Sequence, residues 1–548
     1  MNDPVPPIEV AGILLVATLI TIAVNPIVSL LVLGRFRRAV ARSMRTSTRP
    51  STSRPAALPP PPHYAAETVC SGQPRLDVLG AGGAQRTSSH RGSLTTLAIG
   101  QVRQAIGWYV AAGVAYAVTA AVGLITLVGG EELLPLRTAT VAFVNVWPLV
   151  PTLALVAAFN RRTTALAVSV YAATLITLGA LGEAGVAQVL ALWAILALPA
   201  SLILAGVAGR RLRAVGPFLA PSVFVIGAGI MVWPWIAWPI VSAGASTETA
   251  LLLAIGAVVV VAAVAFLNLP AAAWRYQRKA ASDQSILVDQ WWLLFSLYQC
   301  LQASSRGWAA LALLLPYGAY RATVHVGRRR RHRHATGHFA ARLLLLRVFG
   351  SRGRSERLLR DVGAYWRYVG SVELIAGTDL ASENLEPHEF LDFVLGKLPR
   401  RFVQDNADLR RRIDQLDLLP DADGRFRVNE FFCHEDTWRE TLRRLVQVTD
   451  VILVDLRGLK QNNRGVVYEL HQLVELGLLD RVVALVDDTT DTGFLQATLD
   501  AAGTGKDADL RAVQVRGGRT ETIKLLGYLE AAASRGMTSD STIADLPP

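Results

Sequence analysis

The stretch VILVDLRGLKQNNRGVVYELHQL (451–473) begins as an apolar run and then delivers Asp455, Arg457, Asn462, Asn463, Arg464 and Glu469 in quick succession. Carboxylates, guanidiniums and amides at the end of a buried strand are the donors and acceptors a polar ligand needs. The same pattern follows other apolar runs, as Gly350-Ser351-Arg352, Gly377-Thr378-Asp379 and Asp487-Asp488-Thr489. If each run is a strand of one parallel sheet, these turns lie together at its carboxyl edge, where open α/β sheets bind their ligands. The residues then expected to line a pocket are Gly350, Ser351, Arg352, Asp379, Asp455, Arg457 and Asn463. Turn chemistry offers a second account, because strand-to-helix turns favour Gly, Asp, Ser and Thr wherever they occur.

Two further clusters carry weaker signals. Asp421 and Asp423 before Gly424 match part of a calcium loop, but the remaining ligands of the series and its distal Glu are absent, so a hairpin turn is expected. Cys433, His434, Glu435 and Asp436 offer metal ligands or a Cys–His nucleophile pair. Neighbours in sequence rarely aim at one centre, and HEDTW also reads as a helix start capped by Asp436. The chain contains no Walker A or GxGxxG stretch, which disfavours a P-loop NTPase and a Rossmann dehydrogenase.

The elements that must position these residues begin near residue 341, where short β-rich runs alternate with amphipathic ones. Strands are expected at 342–350, 371–377, 421–433, 451–456, 481–487 and 509–517. Helices are expected at 354–370, 386–398, 405–418, 435–448, 463–479, 492–503 and 519–534. The alternation predicts an α/β doubly wound, mostly parallel-sheet domain over 341–535, with 536–548 as a disordered tail.

The first half reads differently. The 548-residue chain is 52% hydrophobic, with a mean hydropathy of +0.35, too apolar for an ordinary soluble protein. Segments long enough to cross a bilayer lie near 9–34, 106–128, 139–159, 164–182, 185–209, 217–242 and 249–269. Basic residues at 35–38, 161–162, 210–213 and 275–279 fall on one side of them, while Asp3, Glu9, Glu131, Glu132, Glu183 and Glu248 fall on the other, with Arg137 the one basic exception. The positive-inside rule then places the N-terminus outside and everything after residue 270 in the cytoplasm. The expected organisation is an α-helical multi-pass transmembrane bundle, with a first helix in 1–40, a disordered Pro/Ser/Gly-rich loop at 41–104 and six further helices in 105–284. Residues 285–340 are expected to be an apolar hairpin, interfacial, re-entrant or packed beneath the soluble domain, followed by a basic linker. The spans carry little that is ionisable, which argues against an ion-coupled carrier. Net charge is +12, but its Arg clusters flank apolar segments, so the bilayer and anionic lipid headgroups are the expected partners and no nucleic acid is. Three widely spaced cysteines provide no disulfide framework.

The order of parts in the second half resembles the TIR domain, a flavodoxin-like fold of immune signalling proteins and of bacterial enzymes that cleave NAD. LLLRVFGSRGRSERLL, VELIAGTDL and TDVILVDLRGLKQNNRGVVYELHQLV followed by RVVALVD carry the resemblance. The combination RVNEFFC…DLRG…YEL is also similar to that of a group of bacterial multi-pass membrane proteins. In the TIR family a WCxxEL helix places a glutamate in the pocket, and Glu469 in GVVYEL occupies that slot. The resemblance implies that Glu469 holds the ribose side of NAD or a related nucleotide, beside the positive charge that develops as a glycosidic bond breaks. Gly465-Val466 stands where the family has Trp-Cys, and the segment between VELIAG and VILVDL is much longer than the family's one short helix. Three functions follow: a membrane-anchored signalling module that binds a nucleotide or assembles as a homo-oligomer, an NAD-cleaving hydrolase using Glu469, and a channel or transporter with a regulatory cytoplasmic domain.

Overall fold

The computed structural model describes residues 7–45, 76–79, 94–129, 133–159, 161–182, 185–207, 274–335, 340–347, 354–376, 398–434, 436–503, 509–514 and 519–544, with Phe393 and isolated positions between 220 and 271. The chain divides into two compact units, Met1–Arg35 with Arg103–His334 and Leu385–Leu391, and Phe36–Val102 with Ala335–Asn384 and Asp392–Pro548.

The first unit is helical. Its elements include parts of α1 (Pro7–Arg45) and α2 (Leu94–Leu124), then α3 (Pro135–Asn145), α4 (Leu149–Val156), α5 (Arg161–Leu181), α6 (Gly185–Val207), α7 (Asp283–Gln302) and α8 (Leu315–Ala335). Helices α1, α2, α5 and α6 are long and apolar enough to cross a membrane, and α3 with α4 forms a further candidate bent by 44°. The bend falls at Pro148, which lacks an N–H and cannot continue the ladder. Side-chain donors add to the shortened backbone bonds there: Tyr171 reaches the carbonyls of Phe143 (3.3 Å) and Val144 (3.2 Å), and Trp291 Nε1 reaches that of Pro148 (3.1 Å). The sixth and seventh expected spans lie outside the described residues, apart from isolated positions.

The segment 286–321, expected as an apolar hairpin or as packed helices, falls in α7, a 3-10 stretch and the start of α8. Ser282 caps α7, its Oγ accepting from Ser285 N–H at 3.1 Å, and most of that helix is buried despite Asp289 and Gln290. Its polar residues survive burial because other helices satisfy them. Asp289 meets Arg275 and Tyr320, Trp292 Nε1 donates to Thr152 Oγ1 at 3.2 Å, Ser296 meets Tyr116 at 2.9 Å, and Gln299 donates to Asn145. Asp289 is fully buried, so this unit contains a charge that the expected spans do not.

The second unit is an eight-stranded sheet in which every pairing is parallel. Its strands are β1 (Leu76–Leu79), β2 (Ala341–Arg347), β3 (Gly370–Ala376), β4 (Phe402–Val403), β5 (Val428–Cys433), β6 (Val451–Asp455), β7 (Val482–Val486) and β8 (Leu510–Gln514), in the spatial order β1-β8-β7-β6-β2-β3-β5-β4. Both β6 and β7 are buried at every position, as parallel strands covered on two faces must be. Burying one such Val, Ile or Leu side chain contributes roughly 2 kcal/mol. Leu344, Ile452, Val454, Val482 and Ala484 pack in one core with α11 (Trp438–Val448), α12 (Arg464–Glu475) and α13 (Thr492–Ala502). The other face is covered by α9 (Arg354–Trp366) and α14 (Arg519–Ala544), while α10 (Asn406–Asp414) follows edge strand β4.

Three expectations are corrected here. The 41–104 segment is not wholly a disordered loop: Leu76–Leu79 pairs in register with Leu510–Val513, and α2 begins within it at Leu94, where Glu530 accepts from Leu94 N–H at 2.8 Å. Helix α14 continues to Ala544, into the expected tail. The N-cap position of the helix after β5 is Thr437, not Asp436, and its side chain makes no cap bond; its Oγ1 accepts from His434 N–H at 2.9 Å instead. The expected turn at 421–424 forms, with Asp421 tied to Arg427 (2.7 Å). The expected helix at 386–398 lies almost entirely outside the described residues.

Candidate functional site

Strand β6 ends at Asp455, and the chain turns through Leu456 and Gly458, whose φ of +79° suits glycine. In-register pairing of Asp455 with Arg347 and Leu485 aims its side chain at the α9/α14 face. It is 2% exposed and grips Arg457 in two parallel bonds of 2.7 and 2.8 Å. Burial pulls the Arg457 pKa down, but the carboxylate of Asp455, helped by Asp487 and Asp361, outweighs this and raises it. Burial in turn raises the Asp361 carboxyl on α9, against Arg360, Arg357 and Arg457. The two expected ligand residues of this turn therefore neutralise each other within a charge cluster at the strand end.

Asn463, at the start of α12, is also engaged internally, its Oδ1 accepting from Lys460 N–H at 2.8 Å. Glu469 lies farther along α12, 3% exposed. Its neighbours Tyr468 and Gln472 face α11: Tyr468 packs edge-on to Trp438 with ring centroids 5.4 Å apart, and Gln472 accepts from Arg443 Nε at 3.0 Å. Helix α12 covers the sheet face opposite to the one Asp455 addresses. The structure thus brings Asp455 to Arg457 and sets Glu469 in a separate layer. Gly350, Ser351, Arg352 and Asp379 lie outside the described residues.

What the described strand ends do build is a groove between the turns after β6 and β7. Thr490 Oγ1 donates to the Leu456 carbonyl (3.1 Å) and Asp491 N–H to that of Leu459 (3.1 Å), lacing the two turns together. Asp487 Oδ1 accepts from the N–H and hydroxyl of Thr489 at 3.0 and 2.6 Å, which folds the second turn tightly. Asp491 caps α13 by accepting from Phe494 N–H at 2.9 Å. The result is an open groove of about 500 Å³ lined by Lys460, Gln461 and Asn462 on one side and by Asp488, Thr489, Thr490 and Asp491 on the other. One ammonium, two carboxylates, amides and hydroxyls can bind a ligand that carries both phosphate and hydroxyl groups. Sequence reasoning placed Asp487-Asp488-Thr489 at the rim but missed Lys460 and Asp491; the cap before TGFLQ was the available signal for the latter. A larger hollow of about 620 Å³ runs along α10 beside Asn406, Arg410 and Asp414, but one helix alone lines it and no groups converge there.

Cys433 and His434 each make contacts within the fold. Burial pushes the Cys433 thiol up to about 12, and its Sγ meets Thr441 Oγ1 at 3.4 Å. His434 Nδ1 lies 2.8 Å from the Ser43 carbonyl near the end of α1, and its ring packs against Phe402. Among the described residues no group of three His, Cys, Asp or Glu could hold a metal ion. No protein family, curated protein or solved structure gives a match to this chain.

Proposed function

We propose that the chain is a membrane-anchored signalling or effector module whose cytoplasmic, TIR-like domain binds a nucleotide-type ligand in the β6–β7 groove. The observation that carries this reading is the lacing of two polar turns into one open cleft at the carboxyl edge of a parallel sheet, beside the starts of α12 and α13. Helix N-termini favour phosphate, Lys460 adds a cation, and Asp488 can accept from ribose hydroxyls. The inner strands support the comparison: β3-β2-β6-β7-β8 run in the flavodoxin-like order 2-1-3-4-5, with β4 and β5 added beyond β3 from the long segment that precedes VILVDL. A second reading, NAD cleavage by Glu469, draws on the burial of that carboxylate, since catalytic carboxylates are commonly held out of water. Its separation from Asp455 ranks it below binding.

The test uses full-length protein in nanodiscs, titrated with NAD and with adenine nucleotides. Nucleotide is expected to raise the unfolding temperature, and Lys460→Gln with Asp488→Asn to abolish the rise without changing the unliganded value. Turnover of NAD that disappears in Glu469→Gln would move the second reading ahead. Absence of any thermal or calorimetric response to either ligand set would end the nucleotide proposal.

A further inference from the structure

Independently of the groove, the helical unit contains a cationic cluster whose charges do not balance. Asp289 on α7 is fully buried and has three partners: Tyr320 donates to Oδ1 at 3.1 Å, Arg275 to Oδ2 at 2.8 Å, and Arg321 also to Oδ2. One carboxylate thus faces two guanidiniums. Each guanidinium has five N–H donors and directs one bond here. Their side chains remain 19% and 31% exposed, so each is partly open to solvent while Asp289 is not. Buried Asp289 holds both forks in place, which lowers the ordering cost of binding a further anion. Arg278 lies over the Trp274 ring at 4.4 Å and Arg330 over Trp108 at 5.7 Å, adding cations beside aromatic rings of the kind that collect at membrane interfaces. Gly327 permits that second approach, because a Cβ there would meet Trp108 at 2.4 Å.

We propose that Arg275 and Arg321, fixed by Asp289, form a binding site for the phosphate of an anionic phospholipid. The surplus positive charge calls for an anion, and guanidinium forks match phosphate oxygens. A lipid, rather than a free phosphate, is indicated by exposed apolar side chains of the same segments: on α8, which bears Arg321, Leu315 is 66% and Val326 44% exposed, and Trp274, next to Arg275, is 52% exposed, as side chains among acyl chains would be. This site differs from simple attraction to the Arg run at 328–331, because its donors are fixed by a buried carboxylate.

The experiment takes delipidated full-length protein in detergent and measures lipid binding by native mass spectrometry and by thermal shift. Phosphatidylglycerol is expected to bind and stabilise, whereas phosphatidylcholine and inorganic phosphate are not. Arg321→Gln should weaken phosphatidylglycerol binding about fivefold, the loss of one interfacial cation. Arg321→Lys, which keeps the charge beside Asp289 and so protects folding, should weaken it as well, because an ammonium lacks the fork. Arg329→Gln, at an exposed position of the Arg run, should leave it unchanged. Equal binding of both lipids, an equal response to inorganic phosphate, undiminished binding by Arg321→Lys, or equal losses in Arg321→Gln and Arg329→Gln would each overturn the proposal.

Discussion

Glu373→Gln tests the electrostatics of the sheet directly. Glu373 stands in the middle of β3, between Leu344 and Asn429 in register, and is fully buried. Its Oε1 accepts from Ser371 Oγ at 2.6 Å and from Asn429 Nδ2 at 3.4 Å, while Oε2 has no hydrogen-bond partner among the described residues. Burial raises its pKa from 4.5 to about 7, against the opposing pull of Ser371, Asn429 and Arg342. Between these values the folded domain keeps a proton that the unfolded chain has lost. The resulting stabilisation is fully present below pH 4.5 and disappears as the pH rises through about 7. At 1.36 kcal/mol per unit the swing is about 3 kcal/mol, or roughly 6–12 °C in unfolding temperature for a domain of this size. Glutamine keeps the shape and has no proton to lose. Thermal unfolding of the full-length protein at closely spaced pH values should therefore show a decline from pH 5 to 8 in the parent that is absent in Glu373→Gln, with the variant the more stable above pH 7. Parallel profiles for the two proteins would refute the reasoning.

Removing one half of the Asp455–Arg457 pair should be costly. Asp455→Ala strands a largely buried guanidinium and is expected to lower stability by about 3 kcal/mol, and the further change Arg457→Leu should recover part of that loss, read by denaturant unfolding of each variant. Cys433 should resist alkylation in the native protein at neutral pH and react once the domain is unfolded, a contrast that mass spectrometry of maleimide-treated samples resolves.

Much of the second unit was legible because its inner strands are continuous apolar runs. VILVD and VVALV could hardly be anything but strands buried on both faces, and the helices between them show the expected amphipathic spacing. Strand β1 was not legible: LDVL is too short to show a period and stands among Pro, Ser and Gly. Strand β4 has only two residues. The burial of α7 was not legible for a different reason. Asp289, Gln290, Ser296 and Gln299 look too polar for the interior of a bundle, and the groups that satisfy them sit on distant helices, beyond what local pattern can reveal. At the strand ends, the described polar turn residues lie at the carboxyl edge of the sheet, but local pattern did not show what each of them binds. Asp455 and Arg457 bind each other, Asn463 closes its own loop, and the groove is lined instead by their neighbours.

Strand β1 also bears on how the chain is made. Leu76 leaves the ribosome long before its partner Leu510 exists, so the stretch joining the first two helices must stay available, unpaired, while the rest of the sheet is synthesised. Closure of that border waits for the last strand. A fragment beginning at residue 341 would leave β8 with an open flank of backbone donors and acceptors, a template for sticking to its own kind. Supplying residues 70–93 as a separate peptide should restore solubility to such a fragment.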